Sequence, residues 1–352
     1  MKYFSIVFDK ETPIFSGGET LKGVLRLSVN ERLKINSVKL RIKGKAKVQW
    51  THGEATYRDK EKYIDETLFF MKKDPGKDLF IESENYTFPF QFKLPENLPT
   101  SFEHLNGRIR YSIKGTVDIP WAIDKHTEQS FSVLSHVDLN NYSTLDQPYG
   151  VSTRKVLCCG PCSSKPISVS FIVLKTGFVP GEHIYFDVEV ENRTKREVKK
   201  IKVVLMQNLT FQAKKRFHNC TRKVTSMEFR QKIDAKKTEV FKNMKMLIPS
   251  ISPSTMGCSS LIDVSYELFL NFDATGLSVS SDLNIPIQIG TMPVRKAKMP
   301  SNLKFEFEEC VFEPNLVEIK QNKQKQIFES NANVFKPKYP FYKDFNSLED
   351  IE

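Results

Sequence analysis

From Ser37 to Trp50 apolar and basic positions alternate almost without a break. Val38, Leu40, Ile42, Gly44, Ala46, Val48 and Trp50 hold one parity, while Lys39, Arg41, Lys43, Lys45, Lys47 and Gln49 hold the other. A period of two sends successive side chains to opposite faces, so the stretch reads as a strand with one buried and one solvated face. That is the pattern of an antiparallel sandwich. It recurs at Leu21–Val29, Ile109–Val117, Ile184–Val190 and Ile262–Phe272, punctuated by turn formers and without a long amphipathic helix. The predicted class is all-β.

A weak internal repeat divides the chain. Phe15-Ser-Gly-Gly18-Glu19 precedes an alternating run ending near Asn30, and Phe178-Val-Pro-Gly181-Glu182 precedes another ending near Asn192. Prolines four residues apart, Pro95/Pro99 and Pro249/Pro253, stand ahead of the Tyr111 and Tyr266 runs. Two tandem antiparallel, immunoglobulin-like β-sandwiches account for both pairs, since proline cannot donate within a ladder and ends one strand before the next. The expected organisation is a sandwich at 1–140, a turn-rich linker with a cysteine cluster at 141–166, a second sandwich at 167–292 and an irregular tail at 293–352. The tail's "KQNKQKQ" and "FKPKYPFY" suit a partly disordered or peripherally docked segment, and "LKFEFEECVFEP" reads as an added edge strand.

The runs "FPFQFKLPENLPTSFEHLNGRIRYSIKGTVDIPW", "VDLN" and "GFVPGEHIYFDVEVEN", in this order, resemble the arrestin-domain-containing proteins of the α-arrestin group over roughly residues 1 to 290. The resemblance implies the arrestin fold and a non-enzymatic adaptor. Such proteins bind cytoplasmic tails of membrane proteins and direct endocytic or endosomal sorting. Many recruit HECT-type ubiquitin ligases through PPxY motifs. Here the tail offers only Pro337-Lys-Tyr339-Pro340-Phe-Tyr342, and no PPxY occurs. A WW groove reads consecutive prolines, so a ligase is expected to be reached through a partner or not at all.

With 352 residues, 39% hydrophobic and 27% charged, the composition is that of an ordinary globular chain. No apolar run is long enough for a membrane helix, and the start has no signal-peptide core, so a cytosolic chain, peripheral at plasma membrane or endosomes, is expected. The five Asn-x-Ser/Thr sites, at Asn85, Asn141, Asn192, Asn208 and Asn219, would then stay unmodified. Charge changes the picture more. Between Arg193 and Lys245 seventeen lysines and arginines face four acids, an excess of +13 in a chain whose total is +11. Such a concentration favours an anionic partner, either an acidic membrane surface or a phosphorylated tail. The residues singled out are Lys199, Lys200, Lys202, Lys214, Lys215, Arg216, Arg222 and Lys223. Lys39, Arg41, Lys43, Lys45 and Lys47 form a second basic face. Ordinary solvated lysine is the competing reading for both. No nucleic acid is expected, because no nucleic-acid-binding motif accompanies the charge.

Cys158-Cys159-Gly160-Pro161-Cys162 contains CGPC, the tetrapeptide of thioredoxin sites. Such a site needs its first cysteine at a helix N-terminus within a βαβ unit. Here Pro166 and the alternating "ISVSFIVL" follow, which exclude a helix. The cluster reads as a hinge turn whose thiols, Cys158, Cys159 and Cys162, are open to acylation or redox modification. The histidines show no metal spacing, and no phosphate or dinucleotide fingerprint appears, so no catalytic residue, metal or cofactor is expected. Two alternatives to a cargo adaptor remain: a thiol-redox regulator acting through Cys159 and Cys162, and a subunit of a vesicle coat or retromer-like assembly.

Overall fold

The computed structural model describes residues 1–156, 165–229, 231–255, 257–274, 277–295, 303–312, 335–343 and 345, with the side chains of 273–282 left aside. The N-terminal half runs β1 (Tyr3–Phe8), β2 (Ile14–Ser16), β3 (Thr20–Ser28), β4 (Leu33–Ile35), β5 (Ser37–His52), β6 (Ala55–Lys72), β7 (Leu79–Ile81), β8 (Asn85–Lys93), β9 (Phe102–His104), β10 (Gly107–Asp118) and β11 (Lys125–Leu134). Two short 3-10 turns, Leu139–Asn141 and Ser143–Asp146, lead to β12 (Tyr149–Lys155). The C-terminal half adds β13 (Ile167–Val173), β14 (Gly177–Phe178), β15 (His183–Asn192), β16 (Val198–Ala213), β17 (Arg216–Phe229), β18 (Thr238–Leu247), β19 (Ile262–Ala274) and β20 (Leu277–Ile289). The tail holds β21 (Glu306–Glu309) and β22 (Lys338–Phe341).

Each half is a pair of sheets. In the first, β1-β3-β8 packs against β2-β11-β10-β5-β6, with β9 on β10; in the second, β12-β13-β15-β18 packs against β14-β20-β19-β16-β17. The alternation in β5 does what its period requires. Val38, Leu40, Ile42 and Ala46 are fully buried and Val48 and Trp50 nearly so, while the lysine parity is half-buried to exposed. One difference from the sequence reading lies in the expected linker. Tyr149–Lys155 is an edge strand of the second sandwich, in register with β13 from Tyr149↔Val173 to Lys155↔Ile167. Its apolar alternation is short and carried by Val151 alone, which is why the turn formers around it dominated.

The two halves repeat in detail. Phe15 on β2 pairs in parallel with Val133 of β11, and Phe178 on β14 pairs in parallel with Ile289 of β20. Gly18 and Gly181 turn the chain with φ of 77° and 94°, a region that costs an L side chain about 1–2 kcal/mol. The glutamate that follows closes each turn: Ser16 N–H donates to Glu19 and Val179 N–H to Glu182, at 3.0 and 3.2 Å. A lysine completes both copies. Lys10 pairs with Glu19 and lies over Phe15, and Lys175 pairs with Glu182 and lies over Phe178. The proline pairs are matched too. The buried Tyr111 and Tyr266 hydroxyls donate to the Pro99 and Ser252 carbonyls, at 2.7 and 2.6 Å, pinning the proline turns to the core strands.

The sandwiches meet along a seam between the β5–β6 hairpin and β16–β17. Trp50 stacks on His218 with ring centroids 5.5 Å apart, and His104 stacks on Phe211 at 5.0 Å. Burial, with Arg222 and His218 nearby, pushes His104 down to about 4, so a neutral imidazole fills this apolar joint. Polar contacts flank it. Tyr63 Oη donates to Ser259 Oγ at 2.9 Å, and Val137 N–H donates to Thr291 Oγ1 at 2.8 Å.

The tail is docked more deeply than its polar sequence implies. β21 pairs with β22 rather than extending a sandwich sheet. Tyr339 is buried with its hydroxyl on the Ser101 carbonyl at 2.9 Å, and Tyr342 is buried with its hydroxyl on the Thr291 carbonyl at 2.7 Å. Tyr342 N–H donates to Pro180 O, and a side chain at Gly181 would run into the Tyr342 backbone. The aromatic "KYPFY" thus straps the tail across both sandwiches.

Candidate functional site: a cationic sheet face

β5 lies between β10 and β6, and register decides what stands beside its lysines. Lys47 faces Arg108 on β10 and Lys60 on β6; Lys45 faces Arg110 and Lys62. Two consecutive three-strand rows therefore carry only positive charge. Directly opposed like charges weaken a sheet, on the order of 0.2–1 kcal/mol a pair. Toward the other end the rows become mixed: Ser112–Lys43–Asp65, Lys114–Arg41–Thr67 and Thr116–Lys39–Phe69.

Acids offset only part of this charge. Glu103 holds Arg110, with Nη2–Oε2 at 2.8 Å, and Asp65 takes Arg41 at 2.7 Å and Lys62 at 3.4 Å. Asp118 is 3.4 Å from Lys39. Lys43, Lys45 and Lys47 have no ion-pair partner among the described residues. Partial burial, then the neighbouring cations, lowers the pKa of all three. Glu128 on β11, opposite Lys114, and Asp65 beside Lys43 counter this lowering only in part.

The basic stretch of the C-terminal half is arranged differently. Lys199, Lys200 and Lys202 open β16, where Lys200 pairs with Glu228 at 2.9 Å, Lys199 lies 3.9 Å from Glu197, and Lys202 faces Glu228 in register. Lys214, Lys215 and Arg216 sit at the β16–β17 turn, the two lysines at φ 47° and 63°. The twelve residues from Lys202 to Lys214 span about 40 Å at ~3.3 Å each. Between them the even positions of β16, Val204, Met206, Asn208, Thr210 and Gln212, carry no charge. Lys223 is exposed beside Met206. Arg222 does not belong to an outer patch at all. Its Nε donates to the buried Gln207 side chain at 2.5 Å, its guanidinium lies 3.5 Å from the Phe312 ring centroid, and burial lowers its pKa. A run dense in charge along the chain is thus dispersed in space.

Residues 4–140 match the arrestin (or S-antigen) N-terminal domain and residues 163–294 match its C-terminal domain. The chain is an α-arrestin. It is 27% identical over 307 residues to arrestin domain-containing protein 4 of Homo sapiens, covering 83% of this chain and 72% of that protein. Arrestin domain-containing protein 17 of Caenorhabditis elegans is 26% identical over 311 residues, 82% and 70% of the two chains. Thioredoxin-interacting protein of Homo sapiens is 26% identical over 297 residues, 83% and 75%. Membership of the family supports an arrestin-like adaptor role.

In this α-arrestin the cations that complete the rows, Lys60, Lys62, Arg108 and Arg110, were missed from sequence. The signal was present in "GRIRYSIKG", whose even positions carry Arg108, Arg110 and Lys114 opposite a buried apolar parity. What one strand cannot tell is which partners lie beside it. Cys158, Cys159 and Cys162 lie outside the described residues. Cys220, Cys258 and Cys310 are free thiols, and no described cluster of histidine, cysteine or acid is placed to hold a metal. Asn192, in a glycosylation sequon, is buried and donates to the Arg196 and Asp234 carbonyls at 2.7 and 3.0 Å, so in this fold it has no room for a glycan. No helix among the described residues is long and apolar enough to cross a membrane.

Proposed function

We propose that this α-arrestin is an adaptor whose N-terminal sandwich holds acidic cytoplasmic segments of membrane proteins on the β10-β5-β6 face, for endocytic or endosomal sorting. The observation that carries the proposal is the pair of all-cation rows, Arg108–Lys47–Lys60 and Arg110–Lys45–Lys62. They weaken the sheet that contains them, and an acidic strand or phosphoryl groups laid across β5 would relieve that repulsion. The same charge attracts anionic headgroups and would orient the adaptor on a membrane. A ubiquitin ligase would reach it through a partner, since the sequence has no PPxY and Tyr339 and Tyr342 are buried in the tail strap. The test is fluorescence anisotropy with a phosphoserine-rich peptide across a salt series. Binding should weaken steeply with salt, and Lys45→Glu with Lys47→Glu should reduce affinity at least tenfold, about 1.4 kcal/mol. Affinity indifferent to both salt and reversal would remove the face from the reading.

A second reading follows from the relative named for interaction with thioredoxin. Cys159 and Cys162 would then act in thiol exchange with a partner. Trapping of a mixed disulfide that persists in Cys159→Ser with Cys162→Ser would exclude them.

A further inference from the structure

The loop from Ile119 to Asp124, joining β10 to β11, exposes what soluble proteins rarely expose. Trp121 is 105% exposed and Ile123 is 85% exposed. Trp121 also has φ of 60°, and Ala122 N–H reaches back to the Ile119 carbonyl at 3.4 Å. The turn is therefore Ile119-Pro120-Trp121-Ala122, with proline second and a positive φ third. Such a turn calls for glycine or asparagine at the third position. Tryptophan there carries backbone strain, and nothing among the described residues packs on its ring in return. A large aromatic held in a strained turn and turned fully to solvent is a site hypothesis rather than a folding element.

The loop is held firmly. Ile119 N–H donates to Asp124 Oδ1 at 3.2 Å, and Ile119 packs on the core. Asp118 receives Asn36 Nδ2 at 2.8 Å and lies 3.4 Å from Lys39. Both aspartates are thus engaged in the loop's framework. The surroundings are cationic and aromatic: Lys125 opens β11, Lys39 faces the half-exposed Phe69, and Lys72 Nζ lies 5.2 Å from the Phe69 ring centroid. An exposed tryptophan and isoleucine on a loop at the sheet end that carries Lys72 and Lys125 match what settles at a lipid–water interface, the ring among headgroups and the ammonium groups on phosphate.

We infer that the Trp121 loop is a membrane anchor that inserts its ring and Ile123 into the interface of an anionic bilayer. The inference rests on the proposal that the adaptor works at a membrane, and adds a hydrophobic contact at the far end of the sheet from the all-cation rows. Orientation follows from the geometry. The rows at Lys45 and Lys47 lie six to eight residues from Lys39 along β5, about 20–27 Å, so an anchored loop leaves them accessible to a tail emerging from the same membrane.

The chain has two tryptophans, and the other, Trp50, is buried between Tyr57 and His218. A vesicle-dependent change in indole emission therefore reports Trp121. With phosphatidylcholine–phosphatidylserine vesicles the emission should shift to the blue and be quenched by brominated acyl chains. Trp121→Gly should abolish both signals and lower vesicle co-sedimentation roughly tenfold. That variant also relieves the turn, so its melting temperature should rise, which separates lost binding from lost folding. Three outcomes decide the matter. Co-sedimentation without an emission change overturns the anchor and leaves the cationic face standing. Emission changes that survive Lys45→Glu with Lys47→Glu establish the anchor independently of the face. Absence of any vesicle binding overturns the anchor, while peptide anisotropy still reports on the face.

Discussion

The segment from Arg193 to Lys245 is far more basic along the chain than the segment from Lys39 to Lys47, yet the shorter one gathers its cations more densely on one face. The reason is register. β5 sits between two strands that bring Arg108, Arg110, Lys60 and Lys62 beside its own lysines, so two of its five alternating cations, Lys45 and Lys47, become the centres of three-cation rows. In β16 the cations gather at the two ends of a long strand, some against Glu197 and Glu228, while Arg222 turns inward. Charge counted along a sequence measures solubility and long-range attraction; charge on one face measures a site.

Arg222→Ala is the sharpest way to break this comparison, because it treats a presumed surface cation as a structural one. The substitution removes the charged donor from the buried Gln207 and the cation over Phe312, which belongs to the tail. A loss of about 2–4 kcal/mol is expected by denaturant unfolding, with phosphopeptide affinity changed less than twofold while the chain is folded. A variant as stable as wild type would return Arg222 to the surface set.

Reversal of the dispersed cations comes next. Lys199→Glu, Lys200→Glu and Lys202→Glu together should lower phosphopeptide affinity by no more than about threefold, through the general field alone. Lys45→Glu with Lys47→Glu should do the opposite to the fold of what it does to binding. The two rows become cation–acid–cation, and stability should rise by about 0.5–1 kcal/mol as affinity falls. Equal affinity losses from the two sets would show that net charge, not its arrangement on the N-terminal face, governs binding.

Much of the architecture was legible before the structure. The β5 alternation, the Phe-x-x-Gly-Glu repeat and the paired prolines each reflect a local rule, a period of two, a left-handed turn or a missing N–H, that needs no partner to be read. The repeat proved deeper than its sequence trace, since Lys10 and Lys175 complete equivalent ion pairs from unrelated spacings. The site was half legible. Lys39 to Lys47 stood out, but the rows depend on which strands neighbour β5, and no local pattern encodes that. β12 was read as linker and the tail strap as partly disordered or peripherally docked for a related reason: both are short segments whose order comes from what they dock against, such as the Ser101 and Thr291 carbonyls under Tyr339 and Tyr342. Trp121 was visible in "DIPWAID", but only its exposure and its φ distinguish it from an ordinary core aromatic.

The smallest expected effect is on pH dependence, and it tests the cause of the comparison directly. Folding lowers the pKa of Lys43, Lys45 and Lys47 below their ordinary value of 10.5, through partial burial and then mutual repulsion. Between the lowered values and 10.5 the unfolded chain binds more protons than the folded one, so stability rises with pH across that window and levels off above it. The same loss of protons discharges the face, so phosphopeptide affinity should fall as stability climbs. Denaturant unfolding at stepped pH isolates the effect when the wild type is compared with Lys45→Met and Lys47→Met, because every tyrosine and the remaining lysines cancel in the difference. An identical alkaline slope in the two proteins would mean that folding neither desolvates nor crowds Lys45 and Lys47, and this support for preferring β5 over β16 would be gone.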